Sequence, residues 1–490
     1  MVEAESRTFQ WCVLLFFFLM AAPVTLPVFG SHDWQRVFQC VISLFLLLVA
    51  FFNRESVCSP RLLGRKVRLI ALALLALAAA SIAFAHRPFW AVVELALVVT
   101  CVGASLVIGH QRDLGGIELD RLVFILVASI CGVKCLQFSA ALLAAFVSGF
   151  PTLDIDILLD GFSNKRFYGQ FQTFTLPLLA WPLLSPASRR RVKTLSFLLL
   201  SCWWMIAISS GTRGTWLAMA GAMAATCVHG DEGRRWVAWQ VAATCAGLML
   251  FCLFFSLLPD YVGIEVTNFA GDRLNASLSA RDIIWQQAWD MIKQRPWLGF
   301  GPMHFADIAN PVATHPHQAI LQWASEWGVP SALLIGGLVI RGLWATLLLI
   351  RKRADSRQPL DQLRICLFAS LIGALIQGMV DGVIVMPYSQ LWLVIVAGWL
   401  MGIHEFSAEP STPRRGATSL WLAGFTLAVG LLGYVVIRDV PRLVEQRQAF
   451  LNEYGGRLQP RFWMQGYIGA PPASLLAPLN AASFSIQTPK

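Results

Sequence analysis

Apolar runs of about 17–25 residues recur from one end of this chain to the other, and each is long enough to cross a hydrocarbon core of about 30 Å as a helix. Short polar clusters separate them. The pattern predicts thirteen spanning helices, near residues 10–29, 36–52, 69–85, 89–109, 122–149, 167–184, 194–209, 215–229, 236–258, 330–350, 365–380, 388–404 and 419–438. It is interrupted once at length, where residues 259–318 form a polar segment between two strongly apolar runs. Four regions follow: transmembrane helices over 1–258, a large external loop with amphipathic helices over 259–329, further transmembrane helices over 330–438, and an external tail over 439–490. Within the tail, 440–454 reads as a short surface helix. The Pro, Ala and Ser content beyond Gly455 predicts loose structure. No repeat with a period of roughly 20–50 residues is visible, which argues against a solenoid.

Composition strengthens this reading. The chain is 57% hydrophobic and 13% charged, roughly half the charge fraction of a soluble domain. The expected fold class is an all-α polytopic integral membrane protein of about 12–13 transmembrane helices with one large external loop. The first apolar run reads as a retained helix, not a cleaved signal. Of the 11 cysteines, most lie inside apolar runs (Cys40, Cys101, Cys131, Cys227, Cys245, Cys252), where they behave as small apolar residues. No Cys/His spacing suits a metal, so no metal site and no cofactor is expected.

The net charge of +10 orients the chain and does not imply nucleic acid. If the 259–318 segment is external, the internal segments carry 21 Lys and Arg against 9 in the external loops ahead of the tail. The positive-inside rule then places the N-terminus in the cytoplasm and the large loop outside. Arg189-Arg190-Arg191 and Arg351-Lys352-Arg353 are topology anchors.

Under that topology, polar residues from four stretches converge on the outer face. The first is Ser209-Ser210-Gly211-Thr212-Arg213-Gly214-Thr215, a turn in which one guanidinium sits among small hydroxyls, a suitable clamp for a diphosphate. The second is Lys165-Arg166 with Gln170 and Gln172 at the start of the sixth span. Helix N-termini favour anions there, and the two amides imply an inward face or a sugar contact. The third runs from Arg281 and Trp285 to Pro296-Trp297-Leu298-Gly299-Phe300-Gly301. It begins with an amphipathic helix capped by Ser279, with Trp285 and Trp289 at headgroup depth. The fourth is Thr314-His315-Pro316-His317-Gln318. It opens a short amphipathic helix with Leu321, Trp323 and Trp327 on its apolar side and Gln322 and Glu326 elsewhere, ended by Gly328 and Pro330. Proline keeps its neighbours extended, and a histidine near neutrality accepts a proton from an attacking hydroxyl. Of the two, His317 suits the base better than His315. Asp381, with Gln377 nearby, is positioned to orient that histidine or pair an arginine. Lys134 and Arg341 lie in apolar runs and are assigned no chemistry.

His317-Gln318, nine residues, Gly328, two residues and Ser331 together resemble the motif of the O-antigen ligase superfamily: His, then Asn, Ser or Gln, nine residues, Gly, two residues, and Gly, Thr or Tyr. Ser331 departs from the last place. The Arg213 turn and the segment from Arg281 and Trp285 to Gly301 resemble the family's other signatures, so the motifs span 166–331. The family includes O-antigen ligases, O-antigen polymerases and bacterial protein O-oligosaccharyltransferases, and residues 164–179 look somewhat more like the pilin-glycosylating type. The resemblance implies a membrane glycosyltransferase of the helical C type in the bacterial inner membrane. Such an enzyme works on the periplasmic face without metal or nucleotide sugar. It moves a glycan from undecaprenyl diphosphate to a hydroxyl of lipid A-core or of a protein such as pilin. In that scheme His317 is the general base and Arg213, Arg281 and Arg166 hold the diphosphate. Gln318, His315, Asp381, Gln170, Gln172 and Trp285 support them or contact acceptor and sugar.

Three rivals remain. A polymerase of the same family uses a second lipid-linked glycan as acceptor. A metal-dependent transferase would draw on Asp154-Ile155-Asp156. A polytopic lipid-glycan transporter would place charges near the midplane and show repeated halves, whereas here the polar groups gather at one face.

Overall fold

The computed structural model describes residues 2–52, 64–149, 151–267, 280–308, 310, 312–404, 415–454 and 458–469. The described residues are almost entirely helical, with a single pair of three-residue parallel strands, Thr152–Asp154 and Glu265–Thr267. Among the described residues, eight helices are long and apolar enough to cross a membrane. The protein is an all-α polytopic membrane protein.

Every expected span falls on a helix, but the helices are of two kinds. Long apolar ones form much of the periphery, among them α1 (Val2–Thr25), α2 (His32–Phe52), α3 (Arg65–Ala83), α8 (Arg190–Ser209), α10 (Gly230–Cys252), α14 (Val329–Lys352) and α17 (Arg415–Asp439), whereas α15 (Pro359–Gln377) is mostly buried. The two spans expected at 89–109 and 122–149 are one helical run, α4 (Pro88–Val147), broken at Gly116. With φ 54° and ψ −143°, Gly116 adopts a conformation that side chains resist, and it turns the chain back between the two passes.

Three short helices occupy the interior: α6 (Lys165–Leu179), α9 (Arg213–Cys227) and α16 (Pro387–Gly402), of 15, 15 and 16 residues. At 1.5 Å per residue they reach roughly 24 Å at most, less than a hydrocarbon core. Helix α6 is buried from Phe167 through Leu179. It is wrapped by an aromatic cluster in which Phe171 meets Trp203, Tyr388 and Trp392. Helix α15 packs on α6 and α9, and α16 packs on α4. The N-termini of α6, α9 and α16 and the C-terminus of α15 thereby come to one end of the bundle.

At that end the polar segment folds into α12 (Arg281–Gln294) and α13 (Ala319–Trp327). Two glycines allow the motif stretches to lock together. Gly328, with φ 84°, lies so close to the chain opposite that a Cβ would meet the Trp297 carbonyl oxygen at 2.2 Å, and a Cβ on Gly299 (φ 65°) would meet Glu326 at 2.5 Å. The backbone bonds of this clasp run from Phe300 N to Ser325 O, from Gly301 N to Glu326 O and from Val329 N to Pro296 O, at 3.0, 3.0 and 2.8 Å. The Trp-Leu-Gly-Phe-Gly stretch and the glycine ending the histidine motif therefore form one substructure.

Several local expectations need correction. The tail is helical over 440–454, in a 3-10 turn and α18 (Leu443–Tyr454). Residues 458–469, however, are not loose. They fold back into the body, and Arg461, Phe462 and Trp463 are buried. Gln322 and Glu326, which the sequence placed only off the apolar side of α13, are buried against Arg461. Lys134 is buried, donating to the carbonyl oxygens of Val24 and Asp160 and to Gln137, so it pins the end of α1 to the loop before α6. Arg341 is exposed. The Ser279 cap falls outside the described residues; the described residue preceding α12 is Ala280, in the left-handed region.

Candidate functional site

The site is built at the ends of five elements. Asn164 caps α6 by accepting from Arg166 N at 2.8 Å, which sets the guanidinium of Arg166 in the first helical turn. Arg213 opens α9 after a turn in which Gly211 has φ 63°. The hydroxyls of that turn do not face a ligand as the sequence suggested. Ser209 and Ser210 donate to the Ile206 and Ala207 carbonyls, and Thr212 bonds Ser210 and Thr215. They are consumed because Gly169 of α6 presses against Thr212 and Thr215. Arg213 remains as the charged group of the turn.

Arg281, the first residue of α12, is half-buried, and its Nε has no hydrogen-bond partner. Burial pulls its pKa below the usual arginine range. Arg166 pulls the same way, Asp381 opposes, and Arg213 adds a further lowering. Three guanidinium groups from three separate helices thus share one field with a single carboxylate.

His317 stands beside them with φ 53°, a left-handed conformation uncommon for a non-glycine residue. The sequence reading of an extended backbone on both sides of Pro316 does not hold there, because four bonds bend the loop. His317 N donates to His315 Nδ1 at 3.3 Å, and Trp285 Nε1 donates to the Pro316 carbonyl at 3.0 Å. Ala319 N reaches the Gly378 carbonyl at 2.8 Å, and the Gln318 side chain caps α13 by accepting from Leu321 N. Strain of this kind, held by its surroundings, clusters at functional sites.

The His317 side chain is 12% exposed and its Nδ1 lies 3.7 Å from Asp381 Oδ1, longer than a hydrogen bond. Burial first, then Arg166 and Arg281, pull its pKa down to about 3, so the imidazole is neutral. With Nδ1 turned to a carboxylate, the tautomer that suits the neighbours carries the proton on Nδ1 and leaves the Nε2 lone pair open. Burial raises the Asp381 carboxyl above its usual range, while the Gln170 side chain, the Gly382 N–H, Arg166 and Arg281 draw it back.

The predicted residues therefore divide. The structure brings His317, Asp381, Arg166, Arg213 and Arg281 into one electrostatic cluster, with Gln170 against Asp381 and bonded to Ser389. His315, Gln318 and Trp285 hold the loop instead of facing its opening. Trp285 is pinned to the Pro316 carbonyl, whereas Trp289 is 52% exposed. Gln172 is not in the cluster: it donates to the Trp203 carbonyl at 3.1 Å and ties α6 to α8. Gln377 belongs at the site more than the sequence indicated. It is buried against Gly214 with both amide atoms unpartnered.

The acidic pair of the metal-dependent rival is otherwise engaged. Asp154 caps a short helix, α5 (Ile155–Leu158), and Asp156 pairs with Lys165. Among the described residues no group of three or more His, Cys, Asp or Glu is placed to hold a metal ion.

Residues 195–336 match the O-antigen ligase family. The matched segment contains Arg213, Arg281 and His317, while Arg166 and Asp381 lie on either side of it and join the cluster through the fold. No curated protein matched the chain.

Proposed function

We propose that this member of the O-antigen ligase superfamily transfers a glycan from undecaprenyl diphosphate to an acceptor hydroxyl at the periplasmic face of the inner membrane. The observation that carries the reading is the placing of a neutral His317 beside Asp381, with Arg166 and Arg281 acting on both and Arg213 acting on Arg281. The acceptor is a sugar of lipid A-core or a Ser or Thr of a protein such as pilin.

In this mechanism the acceptor oxygen bonds to the anomeric carbon as the carbon–oxygen bond to the diphosphate breaks, inverting the centre. Nε2 of His317 takes the hydroxyl proton, and Asp381 faces the imidazolium that forms. The leaving diphosphate gains charge in the transition state, where Arg166, Arg213 and Arg281 are already in place, and preorganised countercharge of this kind is usually the largest catalytic contribution. Activity is expected to survive EDTA, since the guanidinium groups supply the countercharge.

A deletion strain tests the reading. It should accumulate the lipid-linked glycan and lose its attachment. Mass spectrometry of lipopolysaccharide and pilin then identifies the acceptor, and unchanged glycosylation of both, with normal chain length, would reject transfer. Shortened polymer with attachment intact would assign the polymerase reaction instead.

The electrostatics also predict a pH signature. His317 is neutral in the free protein because burial, Arg166 and Arg281 disfavour its charged form. A bound diphosphate offsets those arginines, so donor binding raises the basicity of His317. The acid limb of kcat, which reports the donor-bound protein, should therefore lie at higher pH than the acid limb of kcat/KM for the donor, which reports the free protein. Coincident or reversed limbs in a pH–rate profile would contradict this coupling.

A further inference from the structure

Arg461 lies in the tail, far in sequence from every motif, yet is 1% exposed. Its Nη2 bonds Glu326 Oε2 at 2.7 Å and Glu94 Oε1 at 3.3 Å. With the Gln322 amide turned so that its oxygen faces the guanidinium, that oxygen accepts from Nη1 at 2.8 Å. Gln322 and Glu326 are one turn apart on α13, the helix that His317 and Gln318 lead into.

On the other side of His317, Thr314 Oγ1 donates to the carbonyls of Gln459 and Pro460 at 3.0 and 3.1 Å. The loop carrying the candidate base is thus fastened before and after to the same three consecutive tail residues. Those residues are fastened in turn to α2. The Arg461 carbonyl accepts from His32 Nε2 and Arg36 Nη2 at 3.2 and 3.3 Å. Arg36 Nη2 also donates to the Val385 carbonyl at 2.9 Å. Val385 belongs to the loop that holds Asp381. One stretch of tail therefore joins the loop of His317 to the loop of Asp381.

We propose that residues 459–463 are a positioning strap for catalysis, which sets the separation of His317 from Asp381 through Arg461 on one side and Arg36 on the other. The charge environment agrees: burial, His317 and Arg461 together keep His315 neutral, so that its Nδ1 can accept the His317 N–H that shapes the loop. The arginines that would hold the diphosphate are on α6, α9 and α12, whereas the strap's bonds described above run to the loop of His317, to α13 and to α2. The strap should therefore affect turnover and not donor binding.

The inference rests on the proposed transfer reaction, and the test separates the two. Full-length wild type, Arg461→Gln, Arg461→Lys and Thr314→Val are purified, and binding of undecaprenyl diphosphate is measured beside the rate of glycan attachment in membranes of the deletion strain. Arg461→Gln should bind undecaprenyl diphosphate like wild type and lose about 10²-fold in rate, as a reacting group displaced by about 1 Å does. Arg461→Lys should recover part of that loss. Thr314→Val leaves no charge stranded, so it reports even where Arg461→Gln fails to fold, and should lower kcat about fivefold to tenfold with the donor KM unchanged, the worth of one hydrogen bond. Wild-type rates in Thr314→Val, or donor affinity falling in step with rate in either variant, would overturn the strap while leaving transfer intact. Failure of the wild type to bind undecaprenyl diphosphate would overturn the reaction itself.

Discussion

Replacing His317 with asparagine is expected to lower glycan transfer by about 10²–10⁴-fold, the range for losing a general base, while leaving insertion and undecaprenyl diphosphate binding unchanged. Asparagine is the informative choice. The backbone at 317 has φ 53°, which asparagine tolerates and alanine resists. Alanine would thus mix strain in the loop with loss of the base. Asparagine also keeps a polar group near Asp381, 3.7 Å from the ring it replaces, but offers no lone pair basic enough to take a hydroxyl proton. Transfer is scored by glycan attachment in membranes of the deletion strain. A rate within tenfold of wild type would remove His317 from proton transfer and leave it a role in shaping the loop.

Neutralising Arg281 carries the second large effect. Arg281→Gln should cost about 10²–10³-fold in kcat, the scale for one group opposite developing charge, and should weaken binding of undecaprenyl diphosphate. The same change should not destabilise the empty protein. Arg281 is held near Arg166 and Arg213, and its lowered pKa records burial and that like-charge proximity. Removing it relieves repulsion, so the melting temperature without ligand should stay level or rise, while the stabilisation that undecaprenyl diphosphate gives the wild type should shrink. A structural arginine would do the opposite. Loss of unliganded stability with ligand stabilisation retained would show that Arg281 holds the fold and not the diphosphate.

The two results bear on one design. A cluster of neighbouring guanidinium groups is costly until an anion arrives, and the site carries that cost at the ends of helices whose positions are fixed elsewhere. Helices α6, α9 and α16 are packed into the bundle, and the loop of His317 is the part that must be held. Holding it requires Trp285, Gln318, His315 and the tail, all of which bond the loop and not the opening.

The apolar runs alone determined where the helices are, because in lipid a backbone must satisfy its own polar groups and a long apolar run has no other way to do so. The residue types that carry the chemistry were equally legible. Arg166, Arg213, Arg281, His317 and Asp381 stand out as polar groups at the edges of apolar runs, and the motif spacing singled out Gly328. Tertiary structure decided which of them meet. Gln170 and Gln172 look alike in sequence, yet one lies against Asp381 and the other on α8, since residues two apart on a helix face different neighbours. It decided that Gly169 of α6 packs against Thr212 and Thr215, whose hydroxyls bond Ser210 and each other and not a ligand. It also buried Gln322 and Glu326, which the sequence set only apart from the apolar side of their helix, because a guanidinium 135 residues beyond Glu326 reaches them. A pairing of that span leaves no trace in any window of the sequence: the partner that neutralises a buried carboxylate is chosen by the packed helices, and only the folded chain contains it.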